Sequence, residues 1–188
     1  MGVKSFSRNG NIASSSGTSF ATARISSLAT IIYQNICKDF KNFSDFNPVL
    51  LKALIIHSAK NTDKNLSMEE IGYGIPSTST EILSYFKNKN IKIFNGVMEK
   101  NKEIELDASF FNYEKDIKIK LTLVYDTEFD YLQKGEYIKS DIKIKDISEN
   151  GRNLTRKFEG ILERNKKLEL YSDNNIKKNY TLIIEKLN

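Results

Sequence analysis

Apolar and polar positions alternate with two different periods along the chain, and the change falls near residue 90. Before it, apolar residues recur at helical spacing. Ala21, Ile25, Leu28, Ala29, Ile32 and Ile36 share one face of a helix expected from Ser19 to about Phe40. A largely polar run, Lys41 to Asp45, precedes a second helix. Asn47 suits its N-cap and Pro48 its first position, and Leu50, Leu51, Leu54, Ile55 and Ser58 form an inner face that ends near Ala59. The polar residues 61–70 read as a loop. In Gly72-Tyr73-Gly74-Ile75-Pro76, two glycines and a proline permit a tight turn and close backbone approach. Ser77 to Phe86 reads as a short helix, and residues 1–18, polar and rich in Gly and Ser, show no periodicity that supports a packed element.

From about Ile91 the period becomes two. Ile91–Phe94, Ile104–Leu106, Ile117–Tyr125, Ile142–Ile144, Phe158–Leu162, Leu168–Leu170 and Tyr180–Ile184 read as strands separated by turn residues, the pattern of a β-sandwich. Lys87-Asn88-Lys89-Asn90 is a plausible linker, which divides the chain into residues 1–86 and 91–188.

Composition narrows the possible functions. With 39% hydrophobic residues among 188, the chain can bury a core. The formal charge of +5 rests mostly on lysines interleaved with Asp, Glu and Asn. That spacing describes a solvated surface better than a nucleic-acid-binding patch. No apolar run reaches membrane-spanning length, and no apolar signal core follows Met1. The single cysteine, Cys37, excludes an intrachain disulfide and fits a reducing, cytoplasmic compartment.

One stretch carries chemistry. Ser16-Gly17-Thr18-Ser19-Phe20-Ala21-Thr22-Ala23 runs directly into the first helix. A hydroxyl in the first turn of a buried helix lies beside unpaired N–H groups and the positive end of the helix dipole. Such a position can bind an anion or stabilise a developing oxyanion. The same residues also fit an ordinary N-cap.

Gly17-Thr18-Ser19-Phe20-Ala21-Thr22-Ala23-Arg24-Ile25-Ser26-Ser27 resembles the serine-nucleophile motif of the subtilisin-like serine peptidases, with Ser19 on the nucleophile. Ala23 replaces the usual Pro, and Ser27 stands where Ala or Gly is usual. Three further stretches are similar to that family: Phe6-Ser7-Arg8-Asn9-Gly10, the helix around Ala53–Ala59, and Gly72-Tyr73-Gly74. Leu121–Asp126 resembles a strand of the sandwich that follows some subtilase catalytic domains. The resemblance implies an α+β chain: the C-terminal helical part of a subtilisin-like α/β domain, then a β-sandwich. It implies a serine endopeptidase acting on peptide or protein substrates through Ser19, whose backbone N–H helps to hold the oxyanion. It implies no cofactor, and it suggests an AAA-type ATPase as a partner.

A serine needs a base, and the base an orienting carboxylate. In subtilases the Asp and His precede the Ser, yet neither residue type occurs before Ser19. Asn9 and Asn11 lie too close to the motif to match the family's side-chain oxyanion donor. The expectation is a C-terminal portion of a peptidase, inactive by itself; the alternative is a non-catalytic interaction module. The only histidine, His57, lies near the apolar face of the second helix, where it reads as structural; a rearranged Ser19–His57 dyad is the alternative. One Cys and one His exclude the usual zinc sites, and Asp126, Glu128 and Asp130 read as a solvated loop rather than a calcium site.

Overall fold

The computed structural model describes residues 3–15, 17–39, 47–63, 65–99, 103–107, 111, 116–126, 141–145, 147, 150–152, 154–163, 167–172 and 177–187. Secondary structure is mixed, in keeping with an α+β chain. Two strands, β1 (Val3–Phe6) and β2 (Ile12–Ser15), form an antiparallel hairpin. It was not foreseen, because the sequence of these strands shows no sustained apolar alternation. Its turn lies at Ser7-Arg8-Asn9-Gly10, where Gly10 takes φ +78° and donates its N–H to Ser7 O at 2.9 Å. Three helices and a single helical turn follow: α1 (Thr18–Asp39), α2 (Pro48–Ser58), the one-turn α3 (Met68–Ile71) and α4 (Ser79–Ser84).

The cap chemistry sets these boundaries. The Asn47 side chain accepts the Leu50 N–H at 2.9 Å, and Pro48 occupies the first helical position, as expected. At α4, Thr78 and Glu81 form a capping box, so the helix begins two residues after Ser77 and closes in a 3₁₀ turn over Tyr85–Lys87. The polar stretch before Gly72 contains α3, where Glu70 accepts the Ser67 N–H at 2.8 Å. A short-range cap thus makes one helical turn without an apolar face.

Strands β3 (Ile91–Met98), β5 (Ile117–Tyr125), β7 (Asn150–Arg152), β8 (Thr155–Leu162) and β10 (Lys178–Lys186) make an antiparallel sheet in the order β3-β10-β5-β8-β7. Strands β4 (Ile104–Asp107), β6 (Ile142–Ile144) and β9 (Lys167–Ser172) make a second sheet in the order β4-β9-β6. All seven strands expected from period two are present; the structure adds β7 beside β8.

The larger sheet is covered on both faces. Ile119, Leu121 and Leu123 of β5, with Leu182 and Ile184 of β10, pack with Ile142, Leu168 and Leu170 of the smaller sheet in one core. On the other face, Val124 and Ile183 pack with Leu50, Ala53 and Leu54 of α2, Ile32 and Ile36 of α1, and Ile82 of α4. Strands covered on both faces lose the polar alternation of a half-solvated sheet. The Val124-Tyr125 and Ile183-Ile184 steps are apolar for that reason.

The Gly72-Tyr73-Gly74 turn brings two backbones together as expected. Lys60 and Ile75 exchange N–H···O bonds of 2.9 and 3.0 Å, and Gly74 sits at φ +95°. A Cβ on Gly74 would fall 2.2 Å from the Lys60 carbonyl oxygen, so both sterics and φ demand glycine. Gly74→Ala is expected to lower unfolding free energy by about 2 kcal/mol or more, measured by urea denaturation; Gly72→Ala, at φ +62° with open space around the position, is expected to cost less.

Candidate functional site

Gly17 precedes α1, and the first ladder bond runs from the Ala21 N–H to Gly17 O at 3.2 Å. Ser19 is therefore the second helical residue, and the cap position falls to Gly17 rather than to the serine. The amides of Thr18, Ser19 and Phe20 lie ahead of the ladder at the positive end of the dipole. Thr22 Oγ1 donates back to Thr18 O at 2.9 Å and ties the first turn. Ala23 is the sixth helical residue, in the second turn rather than the first.

The expectation of a buried helix fails at this end. Residues 17–27 are all exposed; Ile25 is 39% exposed and Phe20 38%. Only from Leu28 onward does α1 meet α2 and α4, burying Ile32 and Ile36 completely. The apolar face read from the sequence is real, but nothing among the described residues covers its N-terminal half. Ser19 is thus solvent-accessible on a projecting helix end.

His57 is committed elsewhere. Its side chain is completely buried in the last turn of α2, against the larger sheet. Nδ1 lies 2.9 Å from Thr122 Oγ1 of β5. Nε2 lies 3.3 Å from Glu185 Oε2 of β10, close enough for a strong electrostatic contact but off hydrogen-bond geometry. Tyr85 packs edge-on at 5.8 Å and 88°. Burial lowers the His57 pKa, although Glu185 opposes the shift, so the ring is neutral at neutral pH. An ionised carboxylate only accepts protons, which places the ring proton on Nε2 and leaves Nδ1 to accept from the Thr122 hydroxyl.

Thr122, His57 and Glu185 thus form a hydroxyl–imidazole–carboxylate chain. Thr122 and His57 are both fully buried, so no peptide carbonyl can reach them. The chain is structural, in line with the structural reading of His57, and both imidazole nitrogens are occupied by sheet residues rather than by Ser19.

Two lysines complete the cluster. Lys120 Nζ donates to His57 O at 2.5 Å, and Lys157 Nζ donates to Ala59 O at 3.2 Å and Ile56 O at 3.4 Å. Ammonium groups on β5 and β8 therefore satisfy the C-terminal carbonyls of α2 and complement the negative end of its dipole. Burial lowers both lysine pKa values, with Lys157 pushed to about 8 by burial and then by the neighbouring Lys120 charge. The His57 contact holds the Glu185 carboxyl below its usual range. Of Lys120, Thr122, Lys157 and Glu185, only Lys120 and Thr122 fall at polar positions of a run read with period two; Lys157 and Glu185 lie just outside the runs read as strands, within β8 and β10. Their outward face is covered by α2, and the buried histidine above them was the available signal.

The remaining candidates are accounted for separately. Asp126 accepts from the Asn179 backbone N–H at 2.7 Å and from its side-chain amide at 2.5 Å, a structural clasp. Glu128 and Asp130 lie outside the described residues. Cys37 is a free, exposed thiol. No helix of the described residues is long and apolar enough to cross a membrane.

Residues 2–74, a segment that contains Ser19 and ends at Gly74, match the model of the subtilase family, to which this part of the chain is similar. No curated protein matches the chain.

His57 and Glu185 both have lowered pKa values, and both therefore act in the same direction on stability. The unfolded imidazole takes up a proton as pH falls through 6.5, whereas the buried ring does not, so stability falls with pH below that value. Glu185 adds a further loss as pH falls below 4.5. Thermal melts between pH 7.5 and 5 should show this decline, and His57→Gln should flatten it. Thr122→Val, which leaves Nδ1 without its donor, should cost about 1–3 kcal/mol at pH 7.

Proposed function

We propose that this chain is the nucleophile-bearing portion of a subtilisin-like serine endopeptidase, with Ser19 as the nucleophile. In the complete enzyme, Ser19 Oγ attacks the scissile carbonyl and the amine leaves, giving an acyl-enzyme that water then hydrolyses. The Ser19 backbone N–H, in the first turn of α1, helps to hold the oxyanion. The observation that carries this reading is the subtilase match over residues 2–74, together with the place of Ser19 at an exposed helix start. His57 is held by Thr122 and Glu185, and neither Asp nor His precedes Ser19, which supports a reading in which the base and its orienting Asp are supplied from outside these 188 residues. Residues 1–86 are the helical end of the catalytic domain in this reading, and residues 91–188 a β-sandwich that supports them.

A second reading, a non-catalytic interaction module, is favoured by one observation. Phe20, Ile25, Ile31 and Tyr33 of α1 are each between 38% and 45% exposed, more apolar surface than a free helix end requires.

A fluorophosphonate probe separates serine activation from mere exposure. The 188-residue chain is expected to stay unlabelled and to leave casein intact. A chain extended to include the family's Asp and His motifs is expected to label at Ser19, with labelling lost in Ser19→Ala. Labelling of Ser19 in the short chain, with Ser19-dependent casein hydrolysis, would overturn the claim that its base lies elsewhere. An extended chain that folds and remains unlabelled would favour the interaction module.

A further inference from the structure

Beside the end of α2 lies an open cleft of about 570 Å³ that takes no part in the peptidase reading. Its walls come from Lys60 and Asn61, the Gly72-Tyr73 turn, and Lys120, Lys157, Glu159 and Glu185 of the larger sheet. Three amines and two carboxylates, Glu159 and Glu185, therefore line one concavity. Of the three lysines, Lys60 is exposed, whereas Lys120 and Lys157 are partly buried.

Lys157 is placed differently from the surface lysines. Its Nζ is held by two backbone carbonyls, Ala59 O at 3.2 Å and Ile56 O at 3.4 Å. The Tyr73 ring stands 5.8 Å away. Burial and then the second ammonium at Lys120 disfavour the charged form of Lys157, and outweigh the opposing charges of Glu159 and Glu185. When the third proton leaves, the two remaining N–H bonds stay on the carbonyls. The lone pair then occupies the remaining tetrahedral direction, away from the helix end. A desolvated amine next to another cation is the arrangement that makes lysine a nucleophile toward carbonyl carbon.

We propose that Lys157 is a reactive amine and that its cleft accepts small aldehydes bearing an anionic group, which condense with Nζ to a Schiff base. Nζ attacks the aldehyde carbon, and the carbonyl oxygen leaves as water with both protons of the neutral amine, giving a neutral imine. Protonation of that imine from solvent restores one N–H donor for the helix carbonyls. Lys60, the exposed lysine of the lining, supplies the counter-charge for the anionic group.

The test uses pyridoxal 5′-phosphate as the anionic aldehyde and pyridoxal as the control without the phosphate. The imine is trapped with borohydride, and modified lysines are mapped by mass spectrometry on the folded wild-type chain. Lys157 is expected to label about tenfold or more faster than exposed lysines at pH 7.5, with a rate that levels off above about pH 8, whereas exposed lysines continue to gain toward pH 10. The phosphate-bearing probe should exceed pyridoxal at Lys157, and Lys60→Ala should remove that preference. Lys157→Arg should abolish the fast phase; because Arg could disturb the α2 cap, the wild-type map decides independently of that variant's folding. Uniform labelling, or faster labelling at Lys60 or Lys120, would overturn the proposal. Equal rates for the two probes at Lys157 would overturn the anionic-group assignment.

Discussion

The helical and strand-rich parts of this chain are joined by the last turn of α2 where it lies on the larger sheet. A helix end leaves carbonyls without partners, and burying them requires donors from elsewhere. The sheet supplies them: Lys120 reaches His57 O, and Lys157 reaches Ile56 O and Ala59 O. The same turn buries an imidazole, which takes Thr122 and Glu185 as its neighbours. These contacts are directional, unlike the surrounding apolar packing of Leu50, Ala53 and Leu54 against Val124 and Ile183. They fix how α2 is rotated and how far it slides along the sheet.

That anchoring decides what is available to Ser19. α1 is held through Ile32 and Ile36 against α2 and α4, while its first turns project into solvent. Ser19 is exposed and lies in the first turn of α1, at the positive end of its dipole. It does not receive a base from the sheet side, because the one histidine serves as part of the joint. Ser19 and His57 thus belong to two different constructions, one facing solvent and one sealed beneath a helix.

How much of this was legible in the sequence follows from the range of the interactions involved. Local signals held: Asn47-Pro48 starts α2, the glycines of Gly72-Tyr73-Gly74 allow the approach to Lys60, and period two marks every long strand. The Gly-Thr-Ser motif was legible because its meaning lies in adjacent residues, and the family match over residues 2–74 supports it. Tertiary facts were not legible. Amphipathicity showed which face of α1 is apolar but not that its first half lacks a cover. Alternation placed Lys120 and Thr122 at polar positions of a strand and did not reach Lys157 or Glu185, and only the position of α2 makes the four a helix cap and a histidine socket. The hairpin at Val3–Ser15 escaped notice because its pairing is carried by the backbone, with Gly10 making the turn.

The central claim is that His57 is a joint between helix and sheet and not the base of Ser19. It is the only histidine, so its ring nitrogens can be followed by NMR without assignment ambiguity. In ¹⁵N-labelled protein, the ring should be neutral with the proton on Nε2, should titrate below the ordinary 6.5, and should be unchanged in Ser19→Ala while Thr122→Val shifts its Nδ1 resonance. An ordinary titration at 6.5, or a change of tautomer or pKa on removal of the Ser19 hydroxyl, would contradict it.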